Sequence, residues 1–326
     1  MIKSISTYFN DKPFKWIQWQ VNLHCPFKCF YCDEFTWGSK ETAPFSWDVY
    51  DRMADEVIKR FEYGHIDFTG GEPSTFPYIN QLIDKFYNNG FTTGVISNVS
   101  KNLEAYKSWI GRVGYIAATY HSNVIKTDKQ REVWFSKVET LAKDIPIIVR
   151  VMMDPNHWDH CLEVHKTLST ANIKVVEPVR IVHLETNFME DPALADTYYT
   201  DEQNKIIDEL DVRFGAPSDQ SIPTKSIIEY SDHTQVNTDY DAFFNVAKLS
   251  RSRQNNFKGW ECDVGIKSLW IQGDGRIARA TCDGYELNFF GNINDLENIQ
   301  WPTEPTICPY KLCFCDTDMI ISKRKI

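Results

Sequence analysis

Trp16-Ile-Gln-Trp-Gln-Val-Asn-Leu-His-Cys25-Pro-Phe-Lys-Cys29-Phe-Tyr-Cys32 is the stretch on which the fold turns. Its first part, Trp16–Asn22, has the alternation and apolar weight of a strand. Its second part carries three thiols within eight residues, spaced by three and then by two. Those thiols converge only if the loop after the strand wraps around something. Outward from here, strand signals return at His65–Thr69, Thr93–Ser97, Tyr115–Thr119, Pro146–Val151 and Val175–Val179. Between them the spacing is helical. In Asp48–Phe61, the apolar residues Val49, Met53, Val57 and Phe61 recur every four positions. Ser46 is the predicted N-cap of that helix, and Asp48 suits its positive end. Tyr78–Asn89, Lys101–Ile110, Gln130–Lys143 and His157–Ser169 are the other predicted helices. Six strands alternating with helices predict right-handed βαβ units and a parallel sheet. The expected fold class is α/β, an open, partial (β/α)6 version of the eight-stranded barrel.

The chain has 326 residues, 42% hydrophobic and 25% charged, the composition of a globular protein of about two domains. Its 35 Lys and Arg against 45 Asp and Glu give a formal charge of −10. That balance argues against a long basic groove and so against a nucleic-acid partner. No apolar run approaches the roughly 20 residues that span a bilayer. The opening MIKSISTYFNDKPF lacks the continuous apolar core of a signal peptide, so a cytoplasmic location with no membrane partner is expected. The nine cysteines are odd in number, and eight of them fall into two groups, which points to metal or reactive thiols rather than a disulfide framework. Cys161 stands alone on an apolar stripe with Leu162, Val164, His165 and Leu168, and reads as core.

Cys25, Cys29 and Cys32 leave two metal readings open. A zinc site needs a fourth ligand, such as His24 or a remote cysteine. A cubic iron–sulfur cluster accepts thiolates at such short spacings, and three of them leave one iron open. The spacing, with aromatic Tyr31 before the last cysteine, resembles the signature of the radical S-adenosylmethionine (radical SAM) family. The resemblance implies a [4Fe-4S] cluster on these three residues, with S-adenosylmethionine chelating its open iron. An electron from the cluster then splits the sulfonium, and the resulting 5′-deoxyadenosyl radical takes a hydrogen atom from a substrate. Gly70-Gly71-Glu72-Pro73, directly after the second strand, is similar to the family segment that holds the methionyl ammonium. Glycines allow close backbone approach, and Glu72 is the expected anionic acceptor. Its plain reading is a turn with Pro73 near the first helical position. Functional groups of β/α barrels gather at the carboxyl ends of the strands. There the resemblance implies Ser97 and Asn98 near the cofactor's ribose and carboxylate, with Arg150 as a further carboxylate partner. His121 and His183 are candidates to face the substrate.

Cys262, Cys282, Cys308, Cys313 and Cys315 fall within 54 residues, around a predicted hairpin in which LWIQ and RIARA flank the turn Gly273-Asp274-Gly275. Four thiolates would satisfy a structural zinc or an auxiliary iron–sulfur cluster. The order Cys262, Gly-containing hairpin, Cys282 resembles the opening of the SPASM and shorter Twitch extensions of radical SAM enzymes. Five cysteines in place of the seven of a full SPASM extension imply one auxiliary cluster and one spare thiol. The expected domains are a barrel over 1–183, a bridging region over 184–258, in which Thr200–Leu210 is a helix, and a small hairpin-and-loop extension over 259–326.

The expected function is a radical SAM oxidoreductase or maturase that abstracts hydrogen from a peptide or protein side chain. A flavodoxin- or ferredoxin-type protein would be its electron donor. A small-molecule substrate (sugar, nucleotide or cofactor precursor) is the alternative within the family. A zinc-stabilised binding protein without catalysis is the alternative outside it. No general base stands out among the many Tyr, Cys, Asp and Glu residues.

Overall fold

The computed structural model describes residues 1–32, 39–171, 173, 175–181, 198–211, 224–238, 249 and 252–326. His183 and most of the bridging region lie outside the described residues. The chain opens with strands β1 (Ile2–Phe9) and β2 (Lys12–Pro13). Their two-residue turn, Asn10-Asp11, has φ values of 47° and 61°. This is the left-handed geometry of a tight hairpin, which Asn and Asp tolerate. The barrel units follow: β3 (Trp16–Gln20), α1 (Trp47–Phe61), β4 (His65–Thr69), α2 (Ile79–Asn88), β5 (Thr92–Ser97), α3 (Glu104–Lys107), β6 (Tyr115–Tyr120), α4 (Asp128–Leu141), β7 (Ile147–Met152), α5 (Trp158–Thr170) and β8 (Val175–Val179). These six strands pair in parallel and in sequence order, as the alternation predicted.

Parallel strands are covered on both faces, so they are mostly apolar, and all six residues of β6 are buried. Helix α1 buries Tyr50, Met53, Ala54, Val57 and Phe61, the face its four-residue spacing marked out. Ser46 stands at its N-cap with extended backbone, but the side chain makes no cap bond. The helix predicted over Lys101–Ile110 is shorter, and α3 gives way to successive tight turns from Tyr106 to Arg112. Cys161 is fully buried in α5, and its thiol donates to the Met152 carbonyl at 3.4 Å.

Beyond the barrel come α6 (Asp201–Leu210), β9 (Thr224–Tyr230), β10 (Gln235–Thr238), β11 (Glu261–Cys262), β12 (Ser268–Ile271), β13 (Arg276–Ala278), α7 (Thr281–Tyr285), β14 (Gly291–Asn292), β15 (Thr306–Ile307), α8 (Asp316–Ile320) and β16 (Lys323–Arg324). Thr200 caps α6 in a reciprocal pair with Gln203.

Two arrangements were not visible in the sequence. Strand β12 pairs in parallel with β3, from Ser268 opposite Trp16 to Ile271 opposite Trp19. With β13 and β14 it extends the barrel sheet to nine strands. A bare β3 edge would offer unpaired amides beside an apolar face, and β12 covers it. The second arrangement is a sheet in the order β10-β9-β1-β16-β11-β15, joining both ends of the chain. Its core unites Ile5, Ile228, Cys262 and Ile320 with Tyr115, Ala117, Ile148 and Val175 of the barrel strands.

Candidate functional site

The site grows from the loop that continues β3. Val21 N–H donates to the Thr69 carbonyl (2.9 Å), Gly71 N–H to Asn22 (3.0 Å) and Glu72 N–H to His24 (2.7 Å). The chain therefore runs alongside the segment after β4 right up to Cys25. Glycine is required by this contact: a Cβ on Gly70 would run into the Asn22 carbonyl, and one on Gly71 into the His24 carbonyl. Gly70 also has φ +140°. From the other side, a Cβ on Gly273 would lie 2.7 Å from the Asn22 carbonyl carbon, so the β12–β13 turn presses on the same loop.

Cys25, Cys29 and Cys32 line a cavity of about 150 Å³ with Gly70 and Gly71. Ser97, Asn98 and His121 complete its wall, so the carboxyl ends of β3, β4, β5 and β6 all contribute. Asn98 Nδ2 donates to Cys25 Sγ at 3.4 Å. His121 Nδ1 lies 3.4 Å from Cys29 Sγ and 2.7 Å from the Tyr31 hydroxyl, which donates to Asn123 Oδ1 at 3.2 Å. Burial pushes His121 down to about 4, so its imidazole is neutral at pH 7. His121, a candidate to face the substrate, lines the cavity and stands directly against a thiol. His24, one candidate fourth ligand for zinc, has its Nδ1 3.0 Å from the Ser39 carbonyl.

Glu72 stands beneath this wall. It is fully buried, and its Oε1 accepts from Ser74 N–H (3.0 Å) and Ser97 Oγ–H (2.7 Å), its Oε2 from Asn98 N–H (2.7 Å). Burial raises its carboxyl above the ordinary carboxylate range, while those donors oppose the rise. The side chain ties the segment after β4 to β5 through these three donors. Pro73, buried at the first position of the turn Pro73–Thr75, also lies outside the wall. Glu72→Gln places an N–H where Asn98 N–H needs an acceptor. The expected loss is about 1–3 kcal/mol, read as a lower melting temperature, and an unchanged one would remove this brace. Arg150 likewise stands off the cavity and donates from Nε to Glu177 Oε2 at 3.2 Å.

Burial pushes the Cys25 thiol up to about 12. Cys29 is raised further, first by its hydrogen bond with Cys32 and then by burial. Thiols held this way keep their protons until a cation displaces them, a charge that a bound metal would supply. Among the described residues, no three His, Cys, Asp or Glu side chains form a ready-made site for one metal ion. The donor set of three soft thiols beside an open wall fits a thiolate-bound cluster with a free position.

In the extension, Cys262 lies on β11 and Cys282 in α7, whose backbone N–H donates to Asp318 Oδ2 at 3.2 Å. Burial pushes Cys262 up to about 11 and raises Cys282, Cys308 and Cys313. Cys282, Cys308 and Cys313 pack against the buried cluster that includes Cys262. Cys315 is held differently, with its sulfur 3.4 Å from Thr281 Oγ1 and 2.9 Å from Thr317 Oγ1.

No family model matches the chain. It is 32% identical over 146 residues to the S-adenosyl-L-methionine-dependent tRNA 4-demethylwyosine synthase of Methanocaldococcus jannaschii, covering 42% of this chain and 46% of that protein. It is 27% identical over 152 residues to the 7-carboxy-7-deazaguanine synthase of Bacillus cereus, covering 44% and 59%. The chain thus spans about half the length of these curated relatives. Among solved structures, anSMEcpe with bound AdoMet and a peptide aligns with a TM-score of 0.53 at 13% identity, over 87% of this chain and 78% of that one. Streptococcus suis SuiB bound to its precursor peptide SuiA aligns with a TM-score of 0.52 at 9% identity, over 83% and 60%. The structural likenesses establish the fold: a mixed α/β protein with a parallel barrel sheet. At these identities and coverages the solved structures carry the fold alone, and each curated match is a similarity over less than half of this chain. No helix among the described residues is long and apolar enough to cross a membrane.

Proposed function

We propose that this chain is a radical SAM enzyme that abstracts a hydrogen atom from a peptide or protein side chain. The observation that carries the reading is the cavity in which three thiols meet the Gly70-Gly71 backbone at the carboxyl ends of the barrel strands. Cys25, Cys29 and Cys32 would hold a [4Fe-4S] cluster, and Gly70, Gly71, Ser97 and Asn98 would face S-adenosylmethionine. When bound, this pair supplies one electron to the sulfonium and yields methionine and a 5′-deoxyadenosyl radical. The chain's own residues position and shield that chemistry. Glu72 fixes the β4 and β5 ends, and Asn98 donates toward Cys25. Tyr31 and His121 cover Cys29 with a neutral pair. Arg150 remains a candidate for the cofactor carboxylate only if it exchanges Glu177 for it.

Cys262, Cys282, Cys308 and Cys313 would hold a second iron–sulfur cluster in the SPASM- or Twitch-like extension over 259–326, with Cys315 spare. The packing of Cys282, Cys308 and Cys313 against the cluster that holds Cys262 supports this division. Cys315→Ala is expected to keep the iron and sulfide of the second site, and Cys308→Ala to lose them, measured per chain after anaerobic reconstitution. Equal loss in both would overturn the choice of ligands. A flavodoxin- or ferredoxin-type donor would supply electrons. A small-molecule substrate is the second reading, favoured by the likeness to the 7-carboxy-7-deazaguanine synthase. The test of the main proposal is release of 5′-deoxyadenosine from reconstituted protein, S-adenosylmethionine and reductant. Absence of release, with and without candidate peptides, would sink it.

A further inference from the structure

Lys323 of β16 lies directly opposite Cys262 of β11 in antiparallel register. Opposed side chains in such a pair have their Cβ atoms roughly 5 Å apart. Lys323 is buried, 4% exposed. Its Nζ donates to the carbonyls of Asp318 (2.9 Å), Met319 (2.7 Å) and Ile321 (2.8 Å). Three donated bonds need three N–H groups, which an ammonium has and a neutral amine lacks. The same atom sits 4.8 Å from the centroid of the Phe257 ring, whose face also favours a cation. The side chain is therefore a buried positive charge held by backbone dipoles and a ring, with the Asp318 carboxylate near enough to feel it.

We propose that Lys323 is a fixed counter-charge for the second thiol group, stabilising thiolates and the more negative, reduced state of the iron–sulfur centre they hold. The inference rests on the proposed reading of that site. It follows from placement: Lys323 is buried directly opposite Cys262 in the β11–β16 pair, and Cys282, Cys308 and Cys313 pack against the same buried cluster as Cys262. Around the same thiols stand two buried carboxylates. Asp318 accepts from Cys282 N–H, and Asp283 is paired with Arg279 at 2.6 Å. Removing Lys323 leaves Asp318 facing the thiolates uncompensated, so the reduced state is disfavoured. In a low-dielectric interior one such charge has a large effect, and cluster potentials follow net charge and burial. Lys323 acts through the thiolates and touches no substrate, so it is a positioning residue.

A purely structural account exists, because the three carbonyls belong to the end of α8, and closing a helix end stabilises it. The test separates the two. In full-length protein carrying Cys25, Cys29 and Cys32 as alanine, only the second site holds iron, and its midpoint potential is read by an anaerobic EPR-monitored titration. Lys323→Met is expected to shift the oxidised-to-reduced ratio at a given potential by tenfold or more toward oxidised, which is 59 mV more negative for a one-electron couple. Lys323→Arg keeps the charge and is expected to stay within threefold of the parent. Both variants lower the melting temperature if the carbonyls lose partners, so melting alone decides nothing. Should Lys323→Met fail to fold, Lys323→Gln retains two donors and carries the same comparison. An unmoved potential in the neutral variant overturns the proposal, as does an equal shift in Lys323→Arg. Absence of any iron–sulfur signal in the parent overturns the second-cluster reading itself, a distinct outcome.

Discussion

Replacing Cys25, Cys29 and Cys32 with alanine, singly or together, is expected to remove the iron of the first site and reduce release of 5′-deoxyadenosine to background. The reason lies in the donor set. The three sulfurs share one cavity, and apart from the single imidazole of His121 the polar groups of its wall are backbone, hydroxyl and amide groups, which are poor iron ligands. Losing one thiolate leaves two anchors where at least three are needed. The fold should survive, because the loop is held by backbone bonds from Asn22 and His24 to the segment after β4, not by the thiols. Circular dichroism and melting close to the parent, with iron and sulfide lost from this site only, would complete the result. A parent protein that purifies anaerobically with zinc and negligible sulfide would instead favour the zinc reading. In that case His121 Nδ1, 3.4 Å from Cys29, becomes the fourth ligand to test.

Gly71→Ala should do nearly as much damage from a residue with no side chain. The added methyl would occupy the space of the His24 carbonyl oxygen, which already accepts from Glu72 N–H at 2.7 Å. Gly71 has no left-handed backbone to lose, so the effect is contact and not dihedral strain. Neither neighbour is a flexible side-chain tip, so the chain leading into Cys25 has to move. Overpacking of this kind costs about 1–3 kcal/mol and displaces the first cysteine. The expected result is a lower melting temperature with reduced iron content and turnover at the first site. A variant that binds iron fully and releases 5′-deoxyadenosine at the parent rate would show that the close approach of the two loops is dispensable.

Much of the fold was legible because parallel barrel units leave strong marks: apolar strands and helices with a four-residue stripe, as in Val49, Met53, Val57 and Phe61. The short α3 was overextended, since Tyr106 and Trp109 are spaced like a helix yet sit in successive tight turns. The N-terminal strand IKSISTYF carries a readable mark in its Asn10-Asp11 turn, but its partners come from residues 224–230 and 323–324, far away in sequence. The two-residue strands β11, β15 and β16 are too short to show any period.

At the site, spacing alone could bring out the three early thiols and the glycine pair, because a local loop and a close backbone approach each demand particular residues at particular offsets. That Glu72 faces inward, that His121 stands against Cys29, and that Lys323 opposes Cys262 depend on distances across strands 25 to 92 residues apart in sequence. Residue order determined which elements form and which chemistry they carry, since periodicity and thiol spacing act over a few residues. Only tertiary structure decided which charges and dipoles surround each group. Burial and the partners brought by sheet pairing set those energies, and neither is encoded locally.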